Sequence, residues 1–221
     1  EIFVRFEESV RGCDAFVLQS HAAPVNKQIM EQLIMVDALK RASAKRITVV
    51  APFYGYARQD KKHRGREPIS ARLMADLYKT AGADRLMVVD LHTSQIQGFF
   101  DIPVDHLDAS VVFVPYIRSL NLPNLIIAAP DMGGTGRARV FAKALNVDMV
   151  ICDKERKRAN EIASMTVIGD VKGADIVLVD DLIDTGGTLS KSAKMLMDKG
   201  ANSVRAVCTH HVLSGKAYET I

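Results

Sequence analysis

Several features that would place the sequence in a special class are missing from it. Its three cysteines, Cys13, Cys152 and Cys208, are far apart, and none belongs to a CxxC pair or has a histidine at zinc-finger spacing. Such a scattered, odd set predicts reduced, buried thiols in a cytosolic protein. No apolar run approaches the roughly 18 residues of a membrane span, and no basic-then-apolar leader opens the chain. We therefore expect a cytoplasmic protein without a membrane partner.

Two common nucleotide-binding loops are absent as well. The sequence has no GxxxxGK[ST] string, so any ATP is not expected to be held by a P-loop. Gly133, Gly134 and Gly136 lie close together, but they lack the GxGxxG spacing of a dinucleotide-binding turn. A nucleotide site here must therefore be built in another way.

Composition is that of an ordinary globular protein. The 221 residues are 48% hydrophobic and 25% charged, with 14 glycines and 7 prolines, which is close to average usage. This length suits two small domains better than one. A formal net charge of +3 is too small to indicate a nucleic-acid partner by itself, although the lysines and arginines are clustered.

The hydrophobic pattern predicts an α/β fold. Short apolar runs at 47–51, 86–89, 125–129, 149–152 and 176–179 are continuous, as expected for strands buried on both faces of a parallel sheet. Helical spacing occupies the segments between them, at 26–42, 69–81, 137–145 and 189–199. Because similar strings, VVAP and IAAP, lead into glycine-containing loops in the two halves, we expect two similar domains, 1–106 and 107–221.

The most informative segment is 176–188, IVLVDDLIDTGGT. A buried strand ends in two carboxylates, Asp180 and Asp181, at the edge where open α/β sheets bind ligands. The following loop and helix start combine glycines, hydroxyl groups and a helix dipole, which suits a phosphate. Carboxylates next to a phosphate site indicate a ligand that also has sugar hydroxyls or a metal. An ordinary N-capped helix after a strand is the alternative interpretation.

A second segment, 53–68, has five cations in one loop: Arg58, Lys61, Lys62, Arg64 and Arg66. Such a loop could close over a polyphosphate and neutralise it. Charge alone favours a solvated loop or a nucleic-acid patch over a catalytic role. His92 follows the strand at 86–89, a position compatible with contact to Mg²⁺ or phosphate, although a single histidine is more often structural.

These segments together resemble the ribose-phosphate diphosphokinase (PRPP synthetase) family along essentially the whole chain. The 176–188 string is similar to the PRPP-binding motif that this family shares with type I phosphoribosyltransferases. The strings YGYARQDKK with REP, DLH with QIQGFF, PDMGG, and DKER resemble loops of the synthetases. The resemblance implies two phosphoribosyltransferase-like domains, each with a mainly parallel sheet flanked by helices.

The resemblance also implies site residues and partners. The ribose 5-phosphate site would comprise Asp180, Asp181, Asp184, Thr185, Gly186, Gly187 and Thr188. ATP would be bound by Arg58, Gln59, His92 and Glu1, Mg²⁺ by His92 and Asp131, and the catalytic cations would be Lys154 and Arg156. An allosteric phosphate site would be formed by Ser9, Arg11, Gln97 and Asp105, although Arg11 is equally well a surface salt-bridge residue. A homo-oligomer, often a hexamer, is implied, with no nucleic acid as partner.

Departures from the family leave two other functions open. Glu155 replaces an arginine and Ala159 a proline, so the segment around Lys154 can differ in shape. One rival is a non-catalytic regulatory paralogue, although such proteins usually lose the residues retained here. The other is a phosphoribosyltransferase, which would need a base-binding hood that no segment suggests. Glu1 resembles the last residue of the family's FSDGE stretch, so we expect a trimmed piece of a longer chain.

Overall fold

The computed structural model describes residues 1–155 and 164–221. Its internal contacts divide the chain into two compact units, Glu1–Asp108 (unit 1) and Ala109–Ile221 (unit 2). Each unit has its own sheet, with helices that bury its apolar residues. The predicted α/β architecture is confirmed. In the part of the chain that the structure describes, every helix is too short or too polar to cross a bilayer.

Unit 1 contains a four-stranded, fully parallel sheet. Its strands are β1 (Asp14–Leu18), β2 (Arg46–Ala51), β3 (Arg85–Val89) and β4 (Val104–Leu107), paired in that order. Two helices connect them, α1 (Val25–Arg41) and α2 (Ser70–Ala81), and a 3₁₀ helix, Ser94–Phe99, follows β3. Val36 of α1, Val49 of β2 and Leu86 of β3 are fully buried in the core of the unit.

Unit 2 contains a five-stranded sheet in the order β7-β6-β5-β8-β9. The strands are β5 (Leu125–Ala129), β6 (Met149–Glu155), β7 (Ser164–Ile168), β8 (Asp175–Ile183) and β9 (Ser203–His211), and only the β6–β7 pair is antiparallel. The helices are α3 (Ser110–Ser119), α4 (Thr135–Leu145), α5 (Gly187–Asp198) and the short α6 (Ala217–Thr220). Strand β8 lies between β5 and β9, and its first five residues are all buried.

The five predicted strands correspond to β2, β3, β5, β6 and β8, which are the interior strands of the two sheets. The edge strands β1, β4, β7 and β9 were missed. An edge strand faces solvent along one side, and β4, β7 and β9 lack the continuous apolar run of a strand buried on both faces. Strand β1 contains such a run at 15–18, and that run was overlooked. The four predicted helices correspond to α1, α2, α4 and α5, and their bounds agree within a few residues. Helix α3, which contains Pro115, was also missed.

Position 169, directly after β7, requires a glycine because of both its backbone conformation and its close neighbours. Its φ is +116°, and a Cβ there would lie 2.6 Å from Cγ1 of Val150, which is buried in β6. We therefore expect Gly169→Ala to lower the free energy of unfolding by about 1–3 kcal/mol. Chemical denaturation of the purified protein measures this change.

Gly136 provides the matched control for that substitution. It lies in the first turn of α4, its φ is not positive, and a Cβ there would have no heavy atom within 4 Å. Gly136→Ala should leave stability unchanged or raise it by up to about 1 kcal/mol. An equal loss in both variants would contradict the role assigned to the backbone at Gly169.

Candidate active site

The centre of the candidate site in unit 2 is a pair of carboxylates near the end of β8. Asp180 and Asp181 follow five buried residues of that strand, and β8 is paired in parallel with β5 and β9. Asp181 is only 8% exposed and Asp180 is partly buried. The backbone N–H of Asp181 donates to Oδ1 of Asp180 at 2.9 Å. The two side chains therefore lie side by side at the carboxyl edge of the sheet.

This proximity changes the proton affinity of the pair. Burial raises the pKa of Asp180 to about 7, and the neighbouring charge and hydrogen bond of Asp181, with a smaller contribution from Asp131, act in the same direction. Two close carboxylates cannot both ionise without strong repulsion. We therefore expect the pair to retain one shared proton at mildly acid to neutral pH.

Arg137 is the nearest cation described for this pair. It lies on α4, and its Nη2 is 3.6 Å from Oδ1 of Asp181, with side-chain exposures of 21% and 11%. Sequence reasoning named Arg137 only as a helix residue and missed this contact. Its position three residues after Gly134, at the start of a helix that follows a glycine loop, is the signal that could have indicated it.

The loop that follows β5 supplies a third carboxylate. Asp131 is exposed, and its Oδ1 accepts the N–H of Gly134 at 3.0 Å, which closes the turn before α4. The fully buried Ser192 of α5 donates to the carbonyl oxygen of Pro130 at 3.2 Å and ties this turn to the next helix. Ser192 was also missed by sequence reasoning, because nothing local indicates a contact 62 residues away.

The segment that we call the loop 184–188 consists of the turn after β8 and the first two residues of α5. Gly186 has a φ of +75° and is buried, and a Cβ there would lie 2.8 Å from Cγ1 of Ile221, so only glycine fits without a shift. Asp184 is held by Ser214. The Asp184 side chain accepts a hydrogen bond from Ser214 Oγ, and the Asp184 carbonyl oxygen accepts one from the Ser214 N–H. Thr185 and Thr188 remain exposed at the start of α5. Two hydroxyl side chains and the N-terminus of α5 thus lie within five consecutive residues, a combination that suits an anion.

The basic loop, residues 53–68, belongs to unit 1 and follows β2. Its five cationic side chains, Arg58, Lys61, Lys62, Arg64 and Arg66, are all exposed. Its first half is anchored: the buried Tyr54 hydroxyl donates to the Ala71 carbonyl oxygen at 3.0 Å, and the Gly55 N–H donates to His21 Nδ1 at 3.0 Å. Gln59 Oε1 accepts from Ser70 Oγ at 2.5 Å.

The far part of the loop has its own turn. Oε2 of Glu67 accepts the N–H groups of Arg64 and His63 at 2.9 and 2.8 Å, and these contacts lower the pKa of Glu67. The carboxylate of Glu67 therefore closes the tip of the loop while the cations point to solvent.

The segment after β3 meets the basic loop within unit 1. Thr93 Oγ1 donates to Oδ2 of the buried Asp60 at 2.8 Å, and the Leu91 N–H donates to His106 Nε2 at 2.9 Å. His92 itself is exposed between these two anchors. Of the residues predicted to bind ATP, the structure thus places Arg58, Gln59 and His92 in unit 1, after the adjacent strands β2 and β3. The Asp60–Thr93 link was not predicted.

The other predicted site residues lie elsewhere. Glu1, Ser9 and Arg11 are exposed ahead of β1. Asp105 is held by Arg85, whose Nη1 lies 2.7 and 2.9 Å from the two carboxylate oxygens, and Gln97 Nε2 donates to the Ser94 carbonyl oxygen at 3.1 Å.

The two predicted catalytic cations belong to β6 and the residues after it. Lys154 pairs with Met165 through the β6–β7 ladder. The side chain of Lys154 and the whole of Arg156 lie outside the described residues.

No preformed metal cage is visible among residues 1–155 and 164–221, because no three His, Cys, Asp or Glu side chains there converge suitably. Mg²⁺ does not require such a cage. It prefers carboxylate oxygens and usually retains several waters and substrate phosphates. The donor set of Asp131, Asp180 and Asp181 is therefore compatible with Mg²⁺ held partly by its ligand.

Comparison with known proteins relates both units to domains of ribose-phosphate pyrophosphokinases and phosphoribosyl transferases. Residues 1–82 match the model of the N-terminal domain of ribose phosphate pyrophosphokinase, and residues 113–219 match that of the phosphoribosyl transferase domain. Ribose-phosphate pyrophosphokinases of Campylobacter jejuni and Wolinella succinogenes are 56% and 57% identical over 221 residues, covering all of this chain and 72% of each relative. The crystal structure of phosphoribosylpyrophosphate synthetase from Mycobacterium smegmatis superimposes with a TM-score of 0.94 at 56% identity, covering all of this chain and 72% of that one.

The raised pKa of Asp180 predicts a titration that can be followed directly. Carboxyl carbon chemical shifts of the protein should show Asp180 titrating near pH 7, and Asp181→Asn should lower that pKa while leaving it above 3.8. Burial, the largest cause, persists in the variant, whereas the neighbouring charge is removed.

The raised pKa of Asp180 also determines how the free energy of unfolding changes with pH. Because the pKa of Asp180 is higher in the folded state than in the unfolded chain, its favourable contribution is present below pH 4 and is lost as the pH rises through 7. Asp180→Asn should therefore flatten the decline in unfolding free energy between about pH 4 and pH 7. An unchanged slope, or an Asp180 titration near pH 4, would contradict the shared proton.

Proposed function

The chain belongs to the ribose-phosphate pyrophosphokinase family, and we propose that it transfers the β,γ-diphosphate of ATP to the C1 hydroxyl of ribose 5-phosphate, giving PRPP and AMP. The observation that carries this proposal is the carboxylate pair at the end of β8, followed directly by the glycine-containing start of α5. Sugar hydroxyls and a phosphate on one ligand match that arrangement.

Ribose 5-phosphate is proposed to bind entirely at unit 2. Its 5-phosphate would lie in the loop 184–188, with Thr185, Thr188 and the N–H groups of Gly186 and Gly187 as donors, while Asp184 holds the loop through Ser214. Asp180 and Asp181 would hold the 2- and 3-hydroxyls, directly or through Mg²⁺. Because hydroxyl groups donate to carboxylates, this ligand would favour the ionised form of the pair.

Mg²⁺ fits the carboxylate oxygens at the end of β8 and in the loop after β5. Asp131 of unit 2 would hold an Mg²⁺ ion with the diphosphate, and His92 of unit 1 would hold Mg²⁺ with ATP. When bound, the ion neutralises phosphate charge and polarises the transferring group. The chain's own contribution is to keep Asp131 in its turn through the Gly134 N–H.

ATP is proposed to bind through unit 1. Arg58 and Gln59 belong to the anchored first half of the basic loop, His92 follows β3, and Glu1 would complete the nucleotide contacts. The exposed cations of the basic loop would close over the polyphosphate and exclude water from it. Ser9, Arg11, Gln97 and Asp105 are proposed to bind a regulatory phosphate, and the active assembly is proposed to be a homo-oligomer.

The reaction requires position and charge more than covalent chemistry. The C1 hydroxyl would attack the β-phosphorus in line, with AMP as the leaving group, and negative charge would spread over the transferring oxygens. Lys154 and Arg156 are proposed to stabilise that charge. The carboxylates of unit 2 would hold the sugar hydroxyls and so restrict the orientation of the C1 oxygen.

Formation of AMP tests the reaction. Incubation of the protein with MgATP and ribose 5-phosphate should release AMP and PRPP in equal amounts, and omission of ribose 5-phosphate should abolish the AMP. No AMP at any phosphate concentration would refute the synthetase and favour a regulatory paralogue.

Lys154→Ala should lower turnover by about 10²–10³-fold with little change in folding, because a transition-state cation is removed. Steady-state kinetics on the purified variant measures this loss. Lys172→Ala is the control, since Lys172 is exposed in the loop before β8, at the opposite end of that strand from the carboxylate pair. Equal turnover in Lys154→Ala and wild-type protein would contradict the assigned role.

A further inference from the structure

A buried set of polar groups in unit 1 reaches the basic loop without belonging to it. The set consists of His21, which follows β1, Gln32 of α1, Tyr78 of α2 and the backbone N–H of Gly55. The three side chains are 0% exposed. Buried polar groups of this kind are costly unless every partner is satisfied, so their arrangement is strongly determined.

The orientation of the Gln32 amide is determined by the sheet. Its Nε2 donates to the carbonyl oxygens of Val17 at 2.8 Å and Val50 at 3.1 Å, which lie on β1 and β2. Carbonyl oxygens can only accept, so the amide nitrogen must face them. Oε1 of Gln32 is consequently directed toward the Tyr78 hydroxyl at 2.7 Å and toward His21 Nε2 at 2.8 Å.

That orientation selects one tautomer of His21. Because Gln32 Oε1 can only accept, Nε2 of His21 must carry the proton that lies between them. Burial lowers the pKa of His21, although hydrogen bonds with Gln32 and the Phe53 backbone act in the opposite direction. The lowered pKa favours the neutral ring. In a neutral ring with the proton on Nε2, Nδ1 is an acceptor, and it receives the Gly55 N–H at 3.0 Å.

The contact lies at the entry of the basic loop. A Cβ at Gly55 would lie 3.0 Å from Ile29 Cδ1 and 3.3 Å from His21 Nδ1, so the backbone comes close to the imidazole there. Two backbone hydrogen bonds between residues close in sequence follow. The Ala57 N–H donates to the Tyr54 carbonyl oxygen at 3.2 Å, and the Gln59 N–H donates to the Tyr56 carbonyl oxygen at 2.9 Å. Displacement of Gly55 would therefore move the backbone of the next four residues with it.

We propose that His21 is a positioning residue for the nucleotide: through the Gly55 N–H it sets the backbone from which Arg58 and Gln59 reach ATP. This inference rests on the proposed function, since it assumes that Arg58 and Gln59 contact the nucleotide. His21 itself acts through Gly55. Gln32 contributes to the same positioning, because it determines that Nδ1 of His21 is the nitrogen that accepts the Gly55 N–H.

Kinetics of two substitutions at one position test the proposal. His21→Ala removes the acceptor and should raise the KM for ATP about threefold to tenfold, the effect of one lost hydrogen bond, with the KM for ribose 5-phosphate unchanged. His21→Asn should restore the KM for ATP to within about twofold of wild type. Asparagine tolerates the φ of 52° found at His21, and its amide oxygen can accept the Gly55 N–H.

Tyr78→Phe is the matched control. It removes a buried hydroxyl that contacts Gln32 Oε1 and, at 2.9 Å, His21 Nε2. His21 keeps its contacts with Gln32 Oε1 and the Gly55 N–H, so stability should fall while both KM values stay unchanged. A purely structural role of His21 would lower the amount of folded enzyme without separating the two KM values. An unchanged KM for ATP in His21→Ala, or an equal rise in His21→Asn, would overturn the proposal.

Hydrogen exchange gives a second readout that does not depend on activity. Amides of residues 53–60 should exchange faster in His21→Ala than in wild type and at the wild-type rate in Tyr78→Phe. If His21→Ala does not fold, Gln32→Met takes its place, because it removes the amide that selects the tautomer and does not touch the loop. Equal protection of residues 53–60 in wild type and in His21→Ala, or in Gln32→Met where it replaces that variant, would overturn the proposal. Absence of AMP formation by folded wild-type protein would refute only the proposed function.

Discussion

Parallel strand pairing is the constraint on which the candidate site depends. In unit 2, β5 and β8 are paired in parallel, so the loop with Asp131 and the carboxylate pair of β8 emerge at the same edge. This is why the charge of Asp131 contributes to the raised pKa of Asp180, 49 positions later in the chain. In unit 1 the parallel pair β2–β3 has the same effect, and there Asp60 of the basic loop accepts from Thr93.

The sequence predicted the interior strands of both sheets, and it missed the edge strands β4, β7 and β9 for one physical reason. A strand with neighbours on both sides and helices on both faces must be apolar throughout, as in the buried residues of β8. The edge strand β9 instead contains exposed, half-buried and buried residues, and β1 is exposed at Phe16 and Leu18. Half-exposed strands of this kind are difficult to distinguish from loops before their neighbours are known.

Some parts of the candidate site are contiguous in the sequence and could be predicted from it, whereas others depend on contacts between residues far apart in the chain. The carboxylate pair and the loop 184–188 are contiguous, so one stretch of sequence indicated both the sugar and the phosphate. Arg137, Ser192 and His21 contact their partners across 44, 62 and 34 positions, and only folding brings them together. Their roles follow from hydrogen-bond direction and burial, which a single sequence does not display.

The His21–Gln32–Tyr78 set also restricts how the protein can change during evolution. Each member satisfies a buried polar atom of another, so replacement of one alone leaves an unpaired donor or acceptor in an apolar interior. We therefore expect the three codons to be under joint selection although none encodes a residue of the proposed reaction. Descendants of this gene should keep all three residues or exchange them together, and a lineage that exchanges them must find another way to hold Gly55.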